Sequence, residues 1–390
     1  MRLLVGIIAS ILLASAVVAQ GLPQDVADAY RAYEAAVDGE DWAAAAYQAE
    51  RAWRAAEAGE VDDATTTVLA ANYGEVALIN GNNAAAAEAY ERAADLGETN
   101  SEPLALATYL ISAAQAYHAT ANHQRAIVLA DAAIEVFGAL PEGEGHFGGL
   151  YQANRVIAYA SNASGNQRRS GVSAERALHA MAYFGPVSNP DVAQLAFLAG
   201  NRANSRGDHS TALYYLLVSR FISRDLAMDP SLREAALTLQ QHVMAATDPR
   251  DFDEVYDRIR SSGYAPGECD TRGVCPDRSV DADKGPVTQA EGIVSDPPQV
   301  EYSVVPLLRT PPRYPAAAAE RGTNGYVDVV FRVSETGRVE NVVVVESSSH
   351  MFNTAAINAV RQWRYWPRQE NGVDVPREGV RTRLDFMIED

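Results

Sequence analysis

The chain has 390 residues, 47% of them hydrophobic and 21% charged. That is a globular composition, in a chain long enough for two or more domains. Its formal net charge is −19, and so acidic a surface repels nucleic acid and anionic lipid headgroups, so neither is expected as a partner.

The charge is uneven. Residues 301–390 hold 11 arginines against 12 acidic residues, so nearly all of the excess lies in the first 300 and the two parts have different surfaces. The first segment is MRLLVGIIASILLASAVVAQ, one arginine followed by an apolar run over residues 3–19. Val17 and Ala19 are small residues placed as a signal peptidase requires, so residues 1–19 are expected to be a cleaved signal peptide. Retention as a membrane anchor is the alternative, and a run of that length is at the short limit for a span.

From Ala27 to Ala246 alanine is abundant and regularly placed. Five stretches align on Ala45, Ala86, Ala126, Ser170 and Ala212, at spacings of 41, 40, 44 and 42 residues. Four positions on stand Ala49, Tyr90, Ala130, Ala174 and Leu216. Seven on stand Ala52, Ala93, Ala133, Ala177 and Ser219. Twelve before stand Tyr33, Gly74, Ala114, Ala158 and Gly200. Small residues at fixed offsets let paired helices approach closely, and a period of this kind marks a helical solenoid. A decayed sixth unit is expected around Val255. The alternative is a plain alanine-rich bundle. The offsets resemble the tetratricopeptide repeat, best at Gly74, Ala86, Tyr90 and Ala93, with turns at GNN (Gly81) and GDH (Gly207). The period is longer than that family's, and its inter-repeat proline is mostly missing. The resemblance implies a groove lined by first helices, with Glu75, Gln115, Arg155, Tyr159 and Asn201 among its positions. Taken singly, each also fits a solvated polar position with no partner. The repeat domain is expected over residues 20–263.

Residues 264–300 are rich in proline, without a sustained apolar period, and are expected to form an extended linker. They contain the two cysteines, Cys269 and Cys275. In an oxidising compartment these can close a small disulfide ring; metal binding is the rival and needs more ligands than two.

After the linker the period changes from helical to two. In GYVDVVFRV, from Gly325, the residues Val327, Val329, Phe331 and Val333 share one face. SETGRV is a turn and VENVVVVES a second strand, which predicts an antiparallel hairpin. MFNTAAINAVRQWRYW reads as a helix with Phe352, Ala356, Ala359, Val360 and Trp363 on one side, ended by Pro367. GVRTRLDFMI closes the sheet with Val380, Thr382, Leu384 and Phe386 on one face. Trp363 and its aromatic neighbours are expected to fill the core of this small sheet. The fold class expected for the whole is multidomain: an all-α helical-repeat solenoid followed by a small α+β domain with an antiparallel sheet.

This last part, residues 301–390, resembles the C-terminal domain of the TonB energy-transducer family. PPRYP (Pro311 to Pro315), the glycine-marked hairpin, the AINAVRQWRYWP helix end and the final strand with Phe386 carry the resemblance, with the helix end following a Trp-Arg-aromatic-x-Pro pattern. It implies recognition by strand addition: an extended segment of an outer-membrane receptor, or of another envelope protein, pairs with a sheet edge on the periplasmic side. Carried over by position, Arg309, Thr310, Pro311 and Arg313 would touch that partner. So would the final strand, Val380, Arg381, Thr382, Arg383 and Leu384. Unlike a full transducer, the chain has no histidine in its apolar run, and helical repeats replace most of the family's long spacer. A periplasmic adaptor is therefore expected, its repeats holding a second protein; a membrane-anchored energy transducer at the inner membrane is the alternative. The seven histidines are scattered, with no nucleophile elbow, metal-ligand pair or phosphate loop. No enzymatic activity, cofactor, metal or small-molecule substrate is expected.

Overall fold

The computed structural model describes residues 22–262 and 306–388, less residues 60, 186, 188, 226–229, 248–250, 310, 367 and 371–372. The expected signal segment, the linker and both cysteines lie outside the described residues. The chain divides into two compact units, residues 1–185 and 186–390. The first holds four helical hairpins: α1 (Gln24–Asp38) with α2 (Trp42–Ala58), α3 (Asp63–Ile79) with α4 (Asn83–Gly97), α5 (Pro103–Ala119) with α6 (His123–Ala139), and α7 (Glu144–Ala163) with α8 (Gln167–Met181). The second unit begins with the hairpin α9 (Pro190–Ser205) and α10 (His209–Asp225), then α11 (Pro230–Ala246) and α12 (Asp251–Ser261), and ends in a small sheet domain.

The repeat positions are the packing positions. Ala45, Ala86, Ala126, Ser170 and Ala212 are all fully buried, as are Ala52, Ala93, Ala133, Ala177 and Ser219. Val255, on α12, is buried too. Two positions trade volume within a hairpin. A side chain added at Gly74 would meet the ring of Tyr90 at 2.8 Å, and one at Gly200 would meet Leu216 Cγ at 3.0 Å. A large residue in the second helix thus requires a glycine in the first, because interiors are packed too densely to hold both. The pairs Ala114 with Ala130 and Ala158 with Ala174 split the volume evenly, and Tyr33 with Ala49 reverses it. Neighbouring hairpins are also tied through their second helices. Arg54 of α2 reaches Glu88 of α4 at 2.6 Å, Glu57 of α2 reaches Arg92 of α4 at 2.7 Å, Glu91 of α4 pairs with Arg125 of α6, and Asp131 of α6 pairs with Arg169 of α8. These guanidiniums are about two-fifths exposed, so each pair contributes no more than about 1 kcal/mol. Their value is in fixing the register of one hairpin on the next.

Each hairpin turn is the same device. Glu40, Gly81, Ala121, Gly165 and Gly207 all have positive φ, between 53° and 77°. Each donates its N–H to the carbonyl three residues back, and the next residue donates to the carbonyl five back, as in Asn82 to Ala77 at 2.8 Å. This is the Schellman ending of a helix. The residue that completes it then caps the following helix: Asp41, Asn82, Asn122, Asn166 and Asp208 each accept an N–H from three residues on. One residue therefore serves both helices: its backbone N–H donates to the end of one, and its side-chain oxygen accepts from the start of the next.

The sheet domain has three antiparallel strands in the order β3 (Val339–Ser347), β2 (Gly325–Val333), β7 (Arg377–Phe386). A short helix, α13 (Ala316–Ala319), precedes β2, and helix α14 (Asn353–Arg361) follows β3 and packs against it. Val327, Val329, Phe331, Val333, Leu384 and Phe386 are buried with Phe352, Ala356, Val360, Trp363 and Tyr365. The expected helix through Trp366 ends sooner. Arg364–Tyr365 form a strand, β4, paired with β1 (Pro306–Leu308), and β5 (Arg368–Glu370) pairs with β6 (Val373–Val375). The chain straightens after Arg361 because Tyr365 donates its N–H to Gly337 O at 2.9 Å, which lays its ring 5.5 Å from that of Phe331. Trp363 meets Phe331 edge-on. Trp366 corrects a second expectation. It is buried but lies outside this cluster, and its ring meets Phe221 of α10.

The turns set opposite outcomes for one chemical change. At Gly81, Gly165 and Gly207 an added Cβ would meet nothing within 4 Å, so only φ matters there. Ala121→Gly removes about 1–2 kcal/mol of left-handed strain and adds unfolded-state entropy of about 0.5–1 kcal/mol. The variant should be stabilised by about 0.5–1 kcal/mol in chemical denaturation, and Gly165→Ala destabilised by about 1 kcal/mol. Equal effects of the same sign at the two positions would contradict this account.

Candidate partner-binding edge of the C-terminal sheet

Both outer strands of the sheet present a backbone edge, and they differ. Strand β3 is bulged twice against β2: the register slips between Asp328 and Val329 and again between Val330 and Arg332. Asn341, inside β3, takes a φ of 51°. Bulges break the row of evenly spaced groups that a new strand needs. Strand β7 has one slip, between Phe331 and Val333, where two residues of β7, Glu378 and Gly379, oppose one of β2. Gly379 takes the left-handed conformation there, with φ 71°. From Val380 to Phe386 the pairing with β2 is uninterrupted.

The direction of each backbone group on β7 follows from one residue. Tyr326 donates its N–H to Ser348 Oγ at 2.8 Å and accepts the N–H of Ser348 at 3.0 Å. Its backbone therefore faces β3, and by alternation Val327, Val329 and Phe331 face β7. Their opposites are Leu384, Thr382 and Val380, so those three turn their N–H and C=O groups into the sheet. Arg381, Arg383 and Asp385 turn theirs outward, where among the described residues no strand pairs with them.

Side chains on this strand divide in the same rhythm. Leu384 and Phe386 enter the core and Val380 packs against it, while Arg381 and Arg383 are exposed on the outer face. Arg383 is already engaged. Its guanidinium makes a bidentate pair with Asp328 on β2, both bonds at 2.7 Å, and stacks over Tyr326 at 4.0 Å. Tyr326 in turn donates its hydroxyl to Glu346 on β3 at 2.7 Å. The hydrogen bond to Arg383 holds the Asp328 carboxyl below the usual carboxylate range. This ladder of Arg383, Asp328, Tyr326 and Glu346 stiffens the outer face across all three strands. Sequence reading missed it, because which residues face each other depends on the register.

The segment before β2 is pinned at both ends. The Arg309 guanidinium lies 5.1 Å from the ring of Trp363 and 5.8 Å from that of Tyr365. Tyr314 stands edge-on to Phe352 and Phe386 and donates its hydroxyl to Thr323 O at 2.5 Å. Pro311 and Arg313, between these pins, are exposed; Thr310 lies outside the described residues.

The groove positions of the repeats come together only in part. Gln115 on α5 donates to Gln152 on α7, at 3.4 Å. His118 of α5 lies against Tyr159 of α7, and Arg155 stands over Tyr151. Burial, then His123 and Arg155, pushes the His118 pKa down. Gln115, Arg155 and Tyr159 thus share one face built from α5 and α7. Glu75 is apart on α3, where burial raises its pKa. Asn201, in the second unit, lines an open cleft between α9 and α11 with Phe197, Glu234, Thr238 and His242. Among the described residues no cluster of three or more His, Cys, Asp or Glu is placed to hold a metal, and no helix is long and apolar enough to cross a membrane.

Comparison with known proteins bears on the same sheet domain. Residues 310–388 match the family model described as the Gram-negative bacterial TonB protein C-terminal. Protein TonB of Pseudomonas aeruginosa is 34% identical over 107 residues, covering 27% of this chain and 30% of that protein. Protein TonB of Escherichia coli is 42% identical over 83 residues, covering 21% of this chain and 32% of that one. The chain therefore spans about a third of the length of the curated relatives it matches. The solution structure of the Pseudomonas aeruginosa TonB C-terminal domain is 34% identical and covers 24% of this chain and 93% of that one, with a TM-score of 0.21. The end of this chain, residues 310–388, is a TonB C-terminal domain, and it follows a series of helical hairpins.

Proposed function

We propose that this protein is a non-enzymatic interaction protein of the periplasm. Its TonB C-terminal domain captures an extended segment of an outer-membrane receptor, or of another envelope protein, by strand addition to β7. Its repeats dock a second protein on the face that carries Gln115, Arg155 and Tyr159, with Glu75 and Asn201 as further contacts. In this reading residues 1–19 are removed on export, residues 20–263 are the docking array, and residues 264–300 are a linker with a Cys269–Cys275 disulfide. Residues 301–390 are the capturing domain.

The observation that carries the proposal is the contrast between the two edges. The outward groups of Arg381 and Arg383 belong to an unbroken stretch of pairing, whereas β3 is bulged twice. Strand addition needs regularly spaced donors and acceptors more than it needs particular side chains. That Arg383 is occupied by Asp328 is consistent with a contact made through the backbone. Arg309, Thr310, Pro311 and Arg313 would flank the captured segment. A second reading, favoured by the match to protein TonB itself, is a membrane-anchored energy transducer that powers transport across the outer membrane. It requires residues 1–19 to be retained, and the mass of the mature chain separates the two.

The test is calorimetric titration of the full chain with synthetic peptides from the periplasmic segments of outer-membrane receptors, scrambled peptides serving as controls. Arg381→Ala should bind within about twofold of the parent, since it leaves the backbone intact. Arg381→Pro removes an outward donor and should lose about tenfold or more in affinity while keeping its circular dichroism. Thr382→Pro removes an inward bond to β2 and should lower the melting temperature of the sheet domain instead. A folded Arg381→Pro variant that binds as tightly as the parent would exclude β7 as the capturing edge.

A further inference from the structure

Two tryptophans, Trp363 and Trp366, stand three positions apart just after the end of α14, and of the two Trp363 alone is in the apolar cluster of the sheet. Trp363 is packed edge-on against Phe331 and stands 6.4 Å from Tyr365. Trp366 is also buried, at 8% exposure, yet it is not part of the cluster that holds Phe331, Trp363, Tyr365 and Phe386. Its ring stands edge-on to Phe221, 6.0 Å between centroids and inclined at 73°. Phe221 is on α10, in the second helix of the fifth repeat, and is itself 3% exposed. In the Trp-Arg-aromatic-x-Pro pattern that follows this helix, Trp366 is the x.

A tryptophan left on the surface of a small domain would expose a large apolar area to water. Tryptophan is also the residue type most concentrated where two surfaces meet and water is excluded. We propose that Trp366 is a docking residue that seats the sheet domain on the repeat helix α10, with Phe221 as the floor of its seat. The occupant of this surface of the repeats is then a segment of the same chain. Because seat and tryptophan are joined covalently, a contact of modest intrinsic strength is populated without a concentration cost. The proposal does not depend on the peptide that β7 binds, since Trp366 is not on that strand.

Photocrosslinking of the full chain tests it. With p-benzoylphenylalanine at position 221, irradiation followed by trypsin should join peptide 221–224 to peptide 365–368. With the probe at position 366 the same two peptides should be joined. In a mixture of light and heavy isotope-labelled chains, the product should carry one label only. Adding Trp366→Ala to the first probe should cut the yield about tenfold at unchanged helical circular dichroism, and Trp366→Phe should restore most of it. Absence of the 221–224 to 365–368 product from both probes would overturn the proposal. So would a mixed-label product alone, which would place the tryptophan on a second copy, or a yield that Trp366→Ala does not change.

Discussion

Every backbone N–H taken out of water needs an acceptor, and this chain is organised by how it meets that demand. In the repeats the demand peaks at the turns, where one helix ends and another begins within a few residues. There a left-handed residue closes the Schellman bonds and an Asp or Asn caps the next helix. In the sheet domain the same demand is met on one side of β7 and left open on the other. The outward groups of Arg381, Arg383 and Asp385 are those to which the proposed partner strand would pair.

The repeats draw their stability from close approach more than from large side chains. An alanine buries little area, so each helical contact is worth little by itself. The gain comes from backbones that can come near, and from positions that exchange volume, Gly74 for Tyr90 and Gly200 for Leu216. The ion pairs across successive second helices then hold neighbouring hairpins in register in a chain whose acidic excess would otherwise push them apart.

Much of this was legible in the sequence, for definable reasons. The five anchors were visible because buried small residues recur at fixed offsets, and burial selects for them whatever the neighbouring loops do. Strands β2 and β3 were visible because alternation of Val327, Val329, Phe331 and Val333 admits one period only. The turns were half visible: glycine at 81 and 207 announces a left-handed residue, but Glu40 and Ala121 adopt the same φ without any such sign, held by the Schellman bonds around them. The end of α14 was misplaced because Trp363, Tyr365 and Trp366 fit a helical stripe as well as a strand, and only the tertiary bond from Tyr365 to Gly337 decides between them. Likewise, the sequence says that Arg381 and Thr382 alternate, and cannot say which faces out. That follows from the bonds between Tyr326 and Ser348, on the far side of the sheet.

Residue-resolved amide hydrogen exchange along β7, with and without a saturating receptor peptide, tests the account most directly. In the free protein the amides of Val380, Thr382 and Leu384 should exchange slowly, because they bond to β2, and those of Arg381 and Arg383 quickly. With peptide bound, Arg381 and Arg383 should become slow while β3 is unchanged. New protection along β3, or binding that leaves Arg381 and Arg383 as fast as before, would contradict it.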